Sequence, residues 1–190
     1  MRATYDALLL IDLQEDYFVD DELERCRDDV LDTCSELARA AHRAGVPVLE
    51  VRTEHAPDRS TWTLTMLEDA QGVVVRGTPG AARAEGLDPG PADLLIKTRD
   101  SAFFGTDLVE RLRRLGVPRL VLTGVSTESC IAATARDAFA HDLAVVLVSD
   151  GTASVSWEEH DHTLEMLKTQ HRQDVLTARE VAAQWGSDRD

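Results

Sequence analysis

Five consecutive apolar residues, Ala7 to Ile11, end at Asp12. A run this short and this apolar has the form of an interior strand in a parallel sheet covered on both faces. The figure recurs at Val46 to Val51, with Pro47 near its start, at Leu94 to Ile96, at Leu120 to Leu122 and at Leu143 to Val148, with a short run at Asp174 to Leu176. Helical spacing fills the intervals. Leu23, Cys26, Val30, Cys34, Leu37 and Ala41 run up to Gly45; Leu108, Val109, Leu112 and Leu115 run up to Gly116, with Thr106 as a candidate cap. Ile131, Ala135, Ala138 and Phe139 form another stripe, and Trp157 to His171 and Glu180 to Trp185 read as two more helices. Five or six strands alternating with helices predict one doubly wound α/β domain over 1–190. The irregular stretch is Arg52 to Asp93, rich in proline and glycine, with a possible short strand at Val73-Val74-Val75. A loop of that length in a compact domain is usually functional or partly structured, so His55 and Trp62 are candidates for substrate contact, with a surface role as the alternative.

Charge narrows the partners. With 35 acidic residues against 20 basic ones, the net charge of −15 disfavours nucleic acid and anionic membrane, both of which need clustered Lys and Arg. A small-molecule substrate is the expectation. No apolar run approaches the ~20 residues that cross a bilayer, and the residues Met1 to Asp6 lead straight into a strand without a signal-peptide pattern. Cys26, Cys34 and Cys130 make an odd count without zinc-like pairs, and Cys26 and Cys34, eight apart on one helix, would lie ~12 Å apart. A reducing cytoplasm is the natural compartment.

The chemistry is expected where the strands end, because ligands of open parallel sheets bind beyond their carboxyl edge. Three strands deliver Asp12, Lys97 and the turn before Cys130 to that edge. The segment Leu120 to Asp137 passes from a strand through the polar turn Thr123-Gly124 into a helix with Thr127 as the expected N-cap. Cys130 then falls in a first helical turn, where unpaired N–H groups favour an anion and the thiol should ionise more easily than a free one. Asp12 is the group placed to take its proton, Lys97 to hold Asp12 and favour the thiolate, and backbone N–H groups of Val125-Ser126-Thr127 to face an oxyanion. A turn-forming Asp12, a snorkelling Lys97 and a merely buried cysteine are the structural alternatives.

The segments LLLIDLQEDYF, LLIKTRDSAFFGTDL and LVLTGVSTESCIAATARDAFAHDLAVVLVSDGTAS resemble, in that order, the isochorismatase-like cysteine hydrolases, a family that includes nicotinamidases, N-carbamoylsarcosine amidohydrolases and ureidoacrylate amidohydrolases. The resemblance covers almost the whole chain. It implies a three-layer αβα sandwich with a six-stranded parallel sheet and an Asp-Lys-Cys triad at Asp12, Lys97 and Cys130. It also implies a cis peptide at Val125-Ser126 and an oxyanion hole from the N–H groups of Ser126 and Cys130. Tyr17 matches the family's aromatic wall; Phe103 and Phe104 are candidates for the opposite wall, with core packing as the alternative for one of them. Nicotinamidases carry an Asp-x-His metal motif after the second strand, where this chain has Thr53-Glu54-His55, so neither a metal nor another cofactor is expected. His160 and His162, two apart on a helix, point to different sides and make no chelate.

The reading that follows is a metal-independent amidohydrolase acting on a small amide, ureido or carbamoyl compound through a Cys130 thioester. Isochorismatase-type vinyl ether hydrolysis, which does not use the cysteine, is the alternative, and a non-catalytic binding subunit on the same fold is a third reading. Relatives of this kind are commonly oligomeric, so a homodimer or homotetramer is expected.

Overall fold

The structure is a computed structural model describing residues 6–187; residues 1–5 and 188–190 lie outside the described ones. Six strands form one sheet in the order β3-β2-β1-β4-β5-β6: β1 Asp6–Ile11, β2 Val48–Thr53, β3 Asp93–Lys97, β4 Arg119–Val125, β5 Ala144–Ala153 and β6 Asp174–Leu176. All the pairings are parallel. The helices are α1 Asp21–Ala44, α2 Leu64–Glu68, α3 Leu108–Leu115, α4 Ala132–Ala140, α5 Trp157–His171 and α6 Ala178–Ser187.

The alternation of side chains along the strands explains the three layers. From β1, Ala7, Leu9 and Ile11 join Leu108 and Leu112 of α3, Ala135 and Ala138 of α4, and Leu164 and Leu167 of α5 in one core. Leu8 and Leu10 point the other way, into a second core with Leu31, Cys34 and Leu37 of α1 and Val181 and Trp185 of α6. An apolar run without alternation is thus the sequence form of a strand with helices on both faces. Local signals set the helix ends. Asp20 caps α1, its carboxylate accepting from Glu22 N–H at 2.9 Å, and Gly45 stops it in the left-handed region at φ 75°, donating to the carbonyls of Ala41 and His42.

Several local expectations change. Thr123-Gly124 is not a turn: β4 runs on to Val125, and β5 continues through Ser149-Asp150-Gly151 to Ala153, with a register shift against β4 between Leu122 and Gly124. The polar residues are tolerated because their hydroxyls bond to backbone, Thr123 to Leu9 C=O at 3.1 Å and Thr152 to Val148 C=O at 3.1 Å. Gly124 has φ 120°, and a Cβ there would sit 1.9 Å from the Ile11 carbonyl oxygen, so only glycine lets β4 lie this close to the end of β1. Val73-Val74-Val75 makes only an isolated bridge from Val75 to His55, and α2 lies in the stretch read as irregular.

That stretch is strapped to the sheet by polar side chains from the loop after β1. Gln14, fully buried, donates to the carbonyls of Thr53 and Ala81 at 2.9 Å each, and Asp16 accepts from Val74 N–H at 2.6 Å. Gly80 passes so close to Asp16 that a Cβ would fall 1.7 Å from its carboxylate. Glu50 of β2 completes the fastening, receiving Arg83 at 2.6 Å and 2.9 Å and Arg52 at 2.6 Å.

Burial alone would raise the Glu50 carboxyl, but Arg83 and Arg52 outweigh it and hold the group below its ordinary 4.5. A carboxyl lowered on folding stabilises the fold above its unfolded pKa, and that contribution is lost as pH falls through the folded value. Glu50→Gln should therefore lower stability at neutral pH by about 1–3 kcal/mol. Urea midpoints taken from about pH 7 down to about pH 3 should fall less steeply for the variant than for the parent; parallel curves would show that Glu50 is not an acid-sensitive fastening.

Candidate active site

Asp12 is the residue directly after β1. Its backbone is left-handed, φ 56°, a region that aspartate enters more readily than most residues. The register of β1 with β2, Ile11 beside Val51, brings Asp12 alongside Thr53: Asp12 N–H donates to Val51 C=O at 2.8 Å, and its Oδ1 accepts from Thr53 N–H at 2.8 Å and from the Thr53 hydroxyl at 2.9 Å. Lys97 ends β3 and is paired in register with Thr53. Its Nζ stands 2.6 Å from Asp12 Oδ2, 2.6 Å from Thr53 Oγ1, 3.1 Å from the Arg99 carbonyl oxygen and 3.4 Å from Cys130 Sγ. The side chains of Asp12 and Lys97 are 0% exposed.

Cys130 arrives from the other side of β1. After β4 the Val125-Ser126 peptide is cis, and a single π-type turn, Thr127–Ile131, carries the cysteine before α4 begins. The Ser126 carbonyl closes this turn, accepting from Ser129 N–H and Ile131 N–H at 3.2 Å each. Thr127 is not the helix cap. Its hydroxyl donates to Ala153 C=O at 3.1 Å and pairs with His160 Nδ1 at 2.8 Å, which ties the turn to β5 and α5. Asp12, Lys97 and Cys130 thus meet where the strand order reverses around β1, with β2 and β3 on one side and β4 on the other.

The electrostatics reverse one expectation. Burial pushes the Cys130 thiol well above its ordinary value, the charge of Asp12 pushes it further, and the opposing pull of Lys97 does not compensate. A helix start is worth roughly 0.3–1 kcal/mol to an anion, too little against desolvation beside a carboxylate. The thiol is therefore harder to ionise than a free one. Burial pulls the Lys97 ammonium down, but Asp12 and Cys130 more than offset it, so the lysine stays charged. Tyr17, half-buried, has its phenol raised by burial and then by Asp12 and Cys130, which places it beside the pair as a neutral hydroxyl.

Around this centre the other expected residues separate. His55 is buried and lies within the electrostatic reach of Arg99, Lys97 and Asp12, but its Nδ1 is taken by Thr61 C=O at 2.9 Å; burial holds its pKa down. Trp62 donates from Nε1 to Ala56 C=O at 3.1 Å and lies under the Arg59 guanidinium at 4.9 Å, so the loop 55–62 is knotted on itself. Trp62 also lines a cleft of about 840 Å³ together with Leu64, Arg99, Ser101, Phe104 and Asp137. Phe104 is 64% exposed there. Phe103 is buried in the core, its ring centroid 5.2 Å from that of His141. The two adjacent phenylalanines thus point to different places, one to the cleft and one to the core.

Thr53 and Gln14 were missed as site residues. Thr53 stands one residue beyond the polar Arg52 that follows the second apolar run, so it lacks the direct strand-end signal of Asp12 and Lys97. Gln14 fixes Thr53 from both ends of its amide, accepting from Thr53 N–H at 2.9 Å and donating to Thr53 C=O at 2.9 Å. At Thr53-Glu54-His55 the threonine hydroxyl is engaged by Asp12 and Lys97, and among the described residues no three His, Cys, Asp or Glu side chains are grouped as metal ligands.

Residues 6–180 match the isochorismatase domain. A probable inactive nicotinamidase of Arabidopsis thaliana is 33% identical over 165 residues, covering 81% of this chain and 83% of that protein. A probable isochorismatase of Pseudomonas chlororaphis is 32% identical over 177 residues, covering 92% and 84%. Among solved structures, an isochorismatase family protein from Desulfovibrio vulgaris has the same fold with a TM-score of 0.84 at 30% identity, covering 96% of this chain and 99% of that one. Relatives named nicotinamidase and ureidoacrylate amidohydrolase support amide hydrolysis as a chemistry of the family. With the domain match spanning nearly its whole length, the chain belongs to the isochorismatase family of hydrolases.

Proposed function

We propose that this protein is a metal-independent cysteine amidohydrolase that cleaves the C–N bond of a small amide, ureido or carbamoyl compound through a thioester on Cys130. The observation that carries the reading is the Lys97 ammonium held 2.6 Å from Asp12 and 3.4 Å from the sulfur in a buried site. A neutral thiol beside a buried carboxylate is a nucleophile that loses its proton only as it attacks.

The steps follow from that arrangement. Asp12 takes the thiol proton while the sulfur electron pair forms a bond to the substrate carbonyl carbon, and Lys97 keeps the charge of the site balanced. The oxyanion is received by the backbone N–H groups of Ser126 and Cys130. As the tetrahedral centre collapses, the C–N bond breaks and the proton on Asp12 passes to the leaving nitrogen. Water, deprotonated by Asp12, then attacks the thioester; the acid departs and the thiolate recovers its proton. Tyr17 and Phe104 form apolar walls of the substrate site, with His55 and Trp62 shaping its outer loop. Vinyl ether hydrolysis is the second reading, favoured by the relative named a probable isochorismatase; it leaves Cys130 without a role.

A screen of primary amides, ureas and carbamoyl amino acids should find ammonia release, abolished in a folded Cys130→Ala variant; more than a few per cent residual activity would exclude the thioester route. Asp12→Asn should separate ionisation from catalysis. With the neighbouring negative charge gone, the thiol should titrate at lower pH than in the parent, followed by thiolate absorbance, yet turnover should fall on the order of 10²–10⁴-fold for want of a base. A variant that ionises more easily and keeps its turnover would remove Asp12 from the mechanism.

A further inference from the structure

The Thr53 hydroxyl touches both charged groups of the site. Lys97 has only protons to offer, so at 2.6 Å the Thr53 oxygen must accept from Nζ. The single hydroxyl proton is then left for Asp12 Oδ1, 2.9 Å away. Oδ1 also receives Thr53 N–H at 2.8 Å, so two donors from one residue occupy it. Oδ2 receives neither Thr53 donor and instead faces the Lys97 ammonium at 2.6 Å. The two oxygens of one carboxylate are therefore unlike, and the difference originates in residue 53.

We infer that Thr53 is a positioning residue that pins the Asp12 carboxylate and reserves Oδ2 as the atom that receives the thiol proton. This rests on the cysteine mechanism above. In that step the S–H bond of Cys130 breaks, an O–H bond forms at Oδ2, and the sulfur electron pair goes to the carbonyl carbon. Without the Thr53 hydroxyl, the carboxylate keeps one donor on Oδ1 and can turn about its Cβ–Cγ bond, and Lys97 loses one of the acceptors that aim its ammonium. The backbone of residue 53 does not depend on its side chain, because Gln14 holds both its N–H and its C=O. Removing the hydroxyl should thus leave the strand end in place.

The test compares Thr53→Val, which keeps the shape and deletes the hydroxyl, with Thr53→Ser, which restores it; Thr53→Ala serves in place of valine should that variant fail to fold. Two readouts are taken: kcat and KM on an amide found in the screen, and the rate of Cys130 alkylation by iodoacetamide, followed by peptide mapping. Thr53→Val should lower kcat about tenfold to a hundredfold with KM nearly unchanged, the size of a hydrogen bond to a charged group, and slow alkylation in parallel. Thr53→Ser should return both to within about threefold of the parent. A folded Thr53→Val that alkylates at the parent rate, a change confined to KM, or a serine variant no better than valine would each overturn the assignment. Alkylation needs no substrate, so a parent that hydrolyses no amide but shows the alkylation pattern would sink the proposed function and leave the role of Thr53 standing.

Discussion

The buried pair of Asp12 and Lys97 is the constraint to which the rest of the site answers. Two ions removed from water lose several kcal/mol of hydration each, which only close pairing and further hydrogen bonds recover. Here the recovery is local: Thr53 serves both ions, the Arg99 carbonyl takes a further lysine proton, and the cysteine sulfur lies beside the ammonium. An ion pair this enclosed holds a carboxylate and a cation beside a thiol that burial makes hard to ionise.

The sheet supplies the precision. Asp12, Thr53 and Lys97 end three adjacent strands, and the parallel register of those strands aligns them in a row. Gly124 allows β4 to lie against the end of β1, and the π-type turn beyond it brings Cys130 over the row from the other side. Away from the chemistry, Gln14, Asp16 and Glu50 bind the long segment between β2 and β3 down onto the same rim. The cleft beside Trp62 and Phe104 is therefore built on a fastened loop.

Much of this was legible in the residues. Apolar runs without alternation, helical stripes and glycine stops read as a doubly wound sheet because both faces of the sheet are covered, and Asp12 and Lys97, directly after the first and third runs, mark the rim, whereas β4 and β5 continue past their apolar runs. Helix α5 and strand β6 were placed to the residue. What could not be read depended on neighbours distant in the chain. The Cys130 thiol looked acidified by its helix start, but burial and Asp12, 118 positions earlier by residue number, set it the other way. Thr127 looked like a cap, and its hydroxyl instead meets Ala153 and His160. Phe103 and Phe104 were indistinguishable by type, and only packing sends one to the core and the other to the cleft. Thr53 is not marked by its type, because a hydroxyl takes its role from what lies beside it.

The proposed mechanism requires a covalent bond between the Cys130 sulfur and the substrate acyl carbon. Intact-protein mass spectrometry on enzyme quenched with acid during turnover tests it most directly. A population heavier by the acyl portion of the substrate is expected, with the added mass on the peptide that contains Cys130. Product accumulating while every quenched molecule keeps its unmodified mass, under conditions where the second step is slowed, would contradict it.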